Sequence, residues 1–69
     1  MEAETTNNLR ELRKAAGVRQ RDLAEYLECD IQTISRFENG KRDPSLAMGI
    51  RIAAYFNKST DEIFSLNKQ

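Results

Sequence analysis

The sequence predicts an all-α fold in which five short helices pack into one compact domain. Apolar residues recur at helical spacing in successive short segments. Residues that cap or end helices separate these segments. No segment is rich in β-forming residues, and the chain of 69 residues is long enough for one small domain with a modest core.

The first helix is predicted after a polar start. Residues 1–7 are acidic and carry little to bury, so we expect a mobile N-terminal tail there. Leu9, Leu12 and Ala16 then form the inward stripe of a helix. Gly17 is expected to end this helix in the left-handed conformation, which glycine adopts readily.

Segment 20–40 predicts two more short helices with a tight break between them. Leu23, Ala24 and Leu27 recur at helical spacing in the first of these helices, and the small Ala24 allows the next helix to cross closely. Asp30 can cap the next helix by accepting from backbone N–H groups of its first turn.

A fourth and a fifth helix are predicted in the last third of the chain. Ser45 can cap the fourth helix. Its apolar residues form one buried stripe of Leu46, Gly49, Ile50, Ala53 and Phe56, with a second stripe of Met48, Ile52 and Tyr55 beside it. Ser59 and Glu62 predict a capping box for a short fifth helix or turn over residues 63–66, and residues 67–69 form a polar C-terminal end.

Segment 20–40 closely resembles the helix-turn-helix of the phage-repressor, Cro and XRE family of DNA-binding proteins. The residues that carry the resemblance there are Gln20, Leu23, Ala24, Glu25, Leu27, Thr33, Ile34, Ser35, Arg36, Glu38, Asn39, Gly40 and Lys41. The matches elsewhere are Leu9, Leu12, Arg13, Gly17, Pro44, Ser45, Leu46, Ile52, Ala53, Asp61, Glu62, Ile63 and Phe64. The resemblance covers about residues 8–66 and implies a five-helix, lambda-repressor-like (Cro/C1-type) DNA-binding domain there.

Two positions depart from the family pattern. Arg19 stands where the family usually has a capping Ser or Thr, so the second helix is expected to fray or to start one residue late. Glu28 stands where the family usually has Gly, and a non-glycine residue in the left-handed conformation costs about 1 kcal/mol.

The third helix, at about residues 31–38, is expected to enter the major groove of DNA, where base edges show distinct donor and acceptor patterns. The resemblance gives base-reading positions to Gln32, Arg36 and Ile31, flanked by Thr33 and Ser35. Gln32 suits adenine and Arg36 suits guanine. The alternative is that these residues form only a solvated face, with Ile31 half-buried against the second helix.

Phosphate contacts are expected on both sides of the third helix. Free backbone N–H groups and the helix dipole favour an anion at the start of the second helix, where the resemblance gives Gln20 a phosphate contact. The other phosphate candidates are Asn39, Lys41, Arg42, Arg19, Arg21 and Arg13. The resemblance also implies a partly buried pair of Arg13 with Glu38; the alternative is two solvated charges.

The charges are unevenly distributed although the formal net charge is zero. Residues 1–9 hold acidic residues and no base, whereas residues 10–21 hold five basic residues against Glu11 alone. We therefore expect a dipolar surface with one basic face and salt-sensitive binding.

The composition argues against several classes of protein. One cysteine and no histidine predict no disulfide, no metal site and no cofactor. Cys29 is expected to be a small apolar residue of the turn, with a redox switch as the alternative. No run reaches the length of a membrane span and no signal sequence opens the chain, so a cytoplasmic protein is expected. The resemblance implies that its source is a bacterium or a phage.

The sequence as a whole predicts a transcriptional regulator, usually a repressor in this family, that binds an inverted-repeat operator in double-stranded DNA as a homodimer. Candidate residues for the dimer interface are Tyr55, Phe56, Phe64 and Leu66, unless all of them cover the protein's own core. The alternative on the same fold is a protein-interaction module or antitoxin whose partner is a toxin or an antirepressor. An enzyme is not expected, because no nucleophile has a base at a recognisable spacing.

Overall fold

A computed structural model describes residues 3–66 of the chain. In chain order its elements are β1 (Thr5–Asn7), α1 (Leu9–Ala15), α2 (Gln20–Leu27), α3 (Ile31–Glu38), α4 (Leu46–Tyr55), α5 (Thr60–Ile63) and β2 (Phe64–Leu66). The prediction of a five-helix domain is confirmed. The predicted polar end at residues 67–69 and the first two residues of the predicted tail lie outside the described residues.

The two short strands were not expected from the sequence. β1 pairs antiparallel with β2, so that Thr5 lies opposite Leu66 and Asn7 lies opposite Phe64. Residues 5–7 are therefore a strand rather than part of a mobile tail, and residues 64–66 are a strand rather than a helix or turn. Strands of three residues are too short to show an alternating pattern, and both depend on partners far along the chain.

Asp43 holds the N-terminal strand against the loop that follows α3. Its carboxylate accepts from the backbone N–H groups of Glu4 and Thr5 at 2.9 and 3.0 Å and from the Thr5 hydroxyl at 2.6 Å. The backbone N–H of Ala3 donates to the Gly40 carbonyl at 2.9 Å. The bond from the Thr5 hydroxyl, and then the backbone bonds, lower the pKa of the Asp43 carboxyl, because they favour its ionised form.

The core forms where α1, α2 and α3 meet α4 and α5. Its fully buried side chains are Leu9, Leu23, Ile34, Phe37 and Ile52. Ala24 is also buried, as its small size predicted. Ala16, predicted to face inward, instead ends α1 and is exposed.

The predicted buried stripe of α4 is wrong at two positions. Gly49 and Ala53 are buried as expected, but Leu46 is 80% exposed and Ile50 is 52% exposed. Ile52, from the neighbouring stripe, is fully buried instead. The apolar surface of α4 is wider than the surface its neighbours cover, so the spacing of apolar residues did not reveal which side faces the core.

The break between α2 and α3 has the predicted geometry. Glu28 ends α2 in the left-handed conformation with φ 59°, and the Asp30 carboxylate accepts from the Thr33 backbone N–H at the start of α3. Arg19 does not cap α2 with its side chain. The Asp22 carboxylate accepts from the Arg19 backbone N–H at 3.0 Å instead, and α2 begins at Gln20 without the expected delay.

Within residues 3–66, no helix combines the length and the apolar composition needed to cross a membrane. The same residues contain no cluster of three or more potential metal ligands.

Replacing Glu28 with glycine should raise the free energy of unfolding by about 1 kcal/mol, because glycine adopts a positive φ without a Cβ clash. Urea denaturation followed by circular dichroism measures the change. The control is Glu25→Gly, inside α2, which should lower the free energy by about 1 kcal/mol. A loss of stability in both variants would contradict the strain at Glu28.

Candidate nucleic-acid interface

The outward face of α3 carries three of the five predicted base-reading residues. Ile31, Gln32 and Arg36 are exposed, and all three lie in the first two turns of the helix. Ser35 is half-buried beside them. Thr33 is not part of this face: it is buried, and its hydroxyl donates to the Asp30 carboxylate at 2.7 Å, so it stabilises the start of α3.

The start of α2 brings three predicted phosphate residues together. Arg19 and Arg21 are exposed on either side of Gln20. The side-chain amide of Gln20 donates to Glu38 Oε1 at 3.1 Å. This bond ties the start of α2 to the end of α3 and fixes the direction of the Gln20 amide.

Arg13 and Glu38 form the pair that the resemblance implied. Arg13 Nε donates to Glu38 Oε2 at 2.6 Å, and Arg13 Nη2 donates to Glu38 Oε1 at 3.3 Å. Arg13 Nη1 donates to the Val18 carbonyl at 2.9 Å. The pair is enclosed, because the side chain of Arg13 is 10% exposed and that of Glu38 is 0% exposed. Arg13 is therefore largely enclosed where α1 meets α3, and its expected phosphate contact stays a prediction.

The environment of Glu38 favours its ionised form. Burial by itself would raise the pKa of this carboxyl, but hydrogen bonds from Arg13 and Gln20 and the positive charge of Arg13 outweigh burial and lower it. Since the side chain is enclosed, the charge is held by these donors rather than by water. The carboxylate thus joins α1, α2 and α3 at one point.

The loop after α3 presents the remaining predicted phosphate residues. Asn39, Lys41 and Arg42 are all exposed. The Arg42 guanidinium lies 5.8 Å from the centre of the Phe37 ring, a distance at which a cation and an aromatic face attract. Asn39 differs from the other two because its amide nitrogen donates to Ser35 Oγ at 3.2 Å.

Sequence reasoning missed Arg10 as a member of this site. Arg10 Nε lies 3.5 Å from Glu38 Oε1, and Arg10 Nη2 donates to Asn39 Oδ1. The sequence spacing could have indicated this role. Arg10 and Arg13 are three residues apart on α1, so they lie on the same side of that helix. Two arginines at this spacing can reach the same carboxylate.

Cys29 has the surroundings of a structural residue. It is half-buried against the core. Burial, followed by the nearby charge of Asp30, raises the pKa of its thiol. A raised pKa favours the thiol over the more reactive thiolate, so these surroundings do not favour the redox alternative.

The Glu38→Gln variant should lose the part of the pH dependence of folding that Glu38 supplies. A carboxyl whose pKa is lowered on folding stabilises the fold above its unfolded pKa of about 4.5, and this contribution is lost as the pH falls through the lower folded pKa. The free energy of unfolding of the wild type should therefore fall more steeply below that pH than that of Glu38→Gln. Urea denaturation at a series of pH values measures both slopes.

The control for this experiment is Glu11→Gln, which removes an exposed carboxylate from α1 and should keep the wild-type profile. At neutral pH, Glu38→Gln should be less stable by up to about 3 kcal/mol, because Arg13 stays buried without its counter-charge. Identical pH profiles for Glu38→Gln and the wild type would show that Glu38 is not held ionised in the fold.

Known proteins share this fold and this sequence pattern. The helix-turn-helix family model matches residues 9–63. An uncharacterized HTH-type transcriptional regulator of Methanocaldococcus jannaschii is 40% identical over 58 residues, covering 84% of this chain and 88% of that protein. The HTH-type transcriptional regulator YgzD of Bacillus subtilis is 30% identical over 63 residues, covering 91% of this chain and 96% of that protein.

Solved structures agree with these matches. The restriction-modification controller protein C.AhdI from Aeromonas hydrophila is 33% identical with a TM-score of 0.70, over 78% of this chain and 82% of that chain. A Bacteroides fragilis protein described as a candidate DNA-binding protein is 26% identical with a TM-score of 0.80, over 88% and 98% of the two chains. The relatives are named as transcriptional regulators and not as enzymes. The chain therefore belongs to the helix-turn-helix family of Cro/C1-type (XRE) DNA-binding proteins and is a transcriptional regulator.

Proposed function

We propose that this protein binds an inverted-repeat operator as a homodimer and represses transcription by occupying it. The observation that carries the proposal is the exposed face of Ile31, Gln32 and Arg36 on α3, held from behind by the buried pair of Arg13 and Glu38. A helix presented in this way fits the major groove of duplex DNA. Because such a regulator works beside the genome, a cytoplasmic location is part of this proposal.

Each outward residue of α3 has a chemistry that can distinguish bases. The Gln32 amide can donate and accept at once, which suits the edge of adenine, and the Arg36 guanidinium can donate twice to guanine. Ile31 can pack against the methyl group of thymine. The Ser35 hydroxyl accepts from Asn39, and its own proton remains available to donate to a base edge or a phosphate.

The basic residues lie on both sides of this helix, although the chain has no net charge. Arg19, Gln20 and Arg21 surround the start of α2, where the helix dipole attracts a phosphate. Lys41 and Arg42 follow α3. Contacts on both sides of the groove would orient the protein on the duplex, while the residues of α3 read the bases.

Replacing Gln32 with alanine should relax discrimination at one base pair of the operator by roughly 1–3 kcal/mol. The wild type is first used to select bound duplexes from a random pool, and affinity for the winner and its single-base variants is then measured for both proteins. An inverted repeat should be recovered, with half-sites about one turn of DNA apart.

The matched comparison is Lys41→Ala, which should weaken binding to every duplex and reduce the salt slope by about one unit. A uniform loss of affinity in Gln32→Ala would assign that residue to the backbone instead. If no motif is selected and only weak salt-sensitive binding remains, operator binding is not the main function. The main function would then be binding to a protein partner such as a toxin.

The proposed dimer surface is defined by Leu46, Ile50, Phe64 and Leu66. Leu46 and Ile50 lie one turn apart on α4, and Phe64 and Leu66 point to the same side of β2 because side chains alternate along a strand. Phe64 lies against Gly49 of α4, which brings the two pairs together. Leu66 is 72% exposed, so much of this surface is apolar and open.

Tyr55 and Phe56, the other predicted interface residues, make aromatic contacts within the chain. Tyr55 lies 4.8 Å from Tyr26 and 5.0 Å from Phe56, measured between ring centres. Both are half-buried against the core. Phe64 is half-buried against the core in the same way, so a second copy would mainly cover the exposed side chains of Leu46, Ile50 and Leu66. Two copies would match the two half-sites of an inverted repeat.

Replacing Leu46 with glutamate should weaken the dimer at least about tenfold, because it places a charge in a buried apolar contact. Sedimentation equilibrium measures the dissociation constant. Ala47→Glu is the matched control: it adds the same charge to the same helix, at an exposed position that points about 100° away. Equal dissociation constants for Leu46→Glu and the wild type would remove this surface from the dimer.

A further inference from the structure

The side chain of Asn39 is occupied by two neighbours within the protein. Its amide nitrogen donates to Ser35 Oγ, and its carbonyl oxygen accepts from Arg10 Nη2. Asn39 directly follows α3, beside the loop that holds Lys41. The Asn39 amide keeps one free N–H, whereas Arg10 keeps both N–H groups of Nη1 together with its positive charge, so Arg10 is the stronger candidate for binding an anion at this point.

Arg10 is held in place yet remains open to solvent. Its side chain is 43% exposed, compared with 10% for Arg13. Arginine carries five N–H donors. Within residues 3–66 its hydrogen bonds use Nε, to Glu38, and Nη2, to Asn39, and no acceptor for Nη1 occurs there. The guanidinium can therefore bind an anion from outside without releasing its internal partners.

The positive charge of Arg10 is not cancelled by Glu38. The single charge of Glu38 faces Arg13 at 2.6 Å and Arg10 at 3.5 Å, so the two arginines and one carboxylate leave a net charge of one. Arg13 is the closer and more enclosed partner. The excess charge is therefore carried at the surface by Arg10, beside the end of the helix that reads DNA.

We propose that Arg10 binds a phosphate of the DNA backbone next to the end of α3, and that Asn39 is the positioning residue that aims it. Arginine matches a phosphate well because two parallel N–H groups can donate to two oxygens. The contacts with Glu38 and Asn39 restrict the side chain before DNA arrives, which reduces the entropy lost on binding. This inference rests on the proposed operator binding and adds a contact on α1 to those on α2 and after α3.

The test measures affinity across a range of salt concentrations for the selected operator duplex and for a scrambled duplex of equal length. Arg10→Gln should bind both duplexes more weakly by the same factor, and the slope of log affinity against log salt should fall by about 0.9, the value for one phosphate. Arg10→Lys keeps the charge and should keep the slope. Arg51→Gln is the matched control: Arg51 is an exposed arginine on α4, held by the Tyr26 carbonyl and ring, and its removal should change neither quantity.

Asn39→Ala tests the positioning role separately. It leaves the charge of Arg10 in place but frees its side chain, so affinity should fall several-fold for both duplexes while the salt slope stays at the wild-type value. Circular dichroism and thermal unfolding show that each variant keeps its fold. Unchanged affinity in Asn39→Ala would reject the positioning role.

The outcomes separate this inference from the proposed function. If the wild type shows no salt-dependent binding to DNA, operator binding itself fails. If the wild type binds but Arg10→Gln keeps the wild-type slope, the phosphate contact of Arg10 is overturned even where affinity falls, since Arg10 would then act only by supporting α3. A loss restricted to the operator duplex would also overturn it, because a backbone contact does not depend on sequence.

Discussion

The buried pair of Arg13 and Glu38 is the interaction on which the rest of the structure depends. Glu38 ends α3, and donors from α1 and α2 converge on its carboxylate. A buried carboxylate is tolerated only where an opposite charge and hydrogen bonds replace the lost water. The side chains of Arg13 and Gln20 must therefore keep the orientation in which they donate to Glu38. The position of α3 relative to α1 and α2 is therefore specified by directional bonds as well as by the packing of Ile34 and Phe37.

A chain without net charge can have a basic site because its bases are clustered along the sequence, with five of them in residues 10–21. The enclosed pair of Arg13 and Glu38 is neutral in itself, so it does not change this local excess. Lys41, Arg19 and Arg21 are exposed, and the side chain of Arg10 is 43% exposed. Electrostatic attraction to a duplex depends on this local distribution, since charges beyond about 8–10 Å are screened at ordinary salt concentrations.

The small sheet connects the two surfaces that a dimeric DNA reader would use. β1 is bound to the loop after α3 through Asp43 and through the Gly40 carbonyl. On its other side β1 pairs with β2, which carries Phe64 and Leu66 of the apolar surface. The loop that follows α3 is thus joined to that surface through a few backbone and carboxylate hydrogen bonds.

The sequence by itself determined the first four helices, most of their caps and three outward residues of α3, because these follow from local rules. Asp30 and Ser45 cap where they were expected, and Gly17 and Glu28 adopt the left-handed conformation that ends their helices. The two strands were not predictable in this way, since each is three residues long and the pairing spans nearly the whole chain.

Only the tertiary structure decided which apolar side of α4 is buried and which charged groups meet. Leu46 and Ile52 have the same character in the sequence, yet one is exposed and the other is in the core, because α4 carries more apolar surface than its neighbours cover. Arg10 and Asn39 are 29 residues apart and meet only after α1 and α3 have packed. The pattern that predicts a helix involves residues three or four apart in the sequence. The contacts of Arg10 and the burial of Ile52, in contrast, depend on how the helices pack against one another.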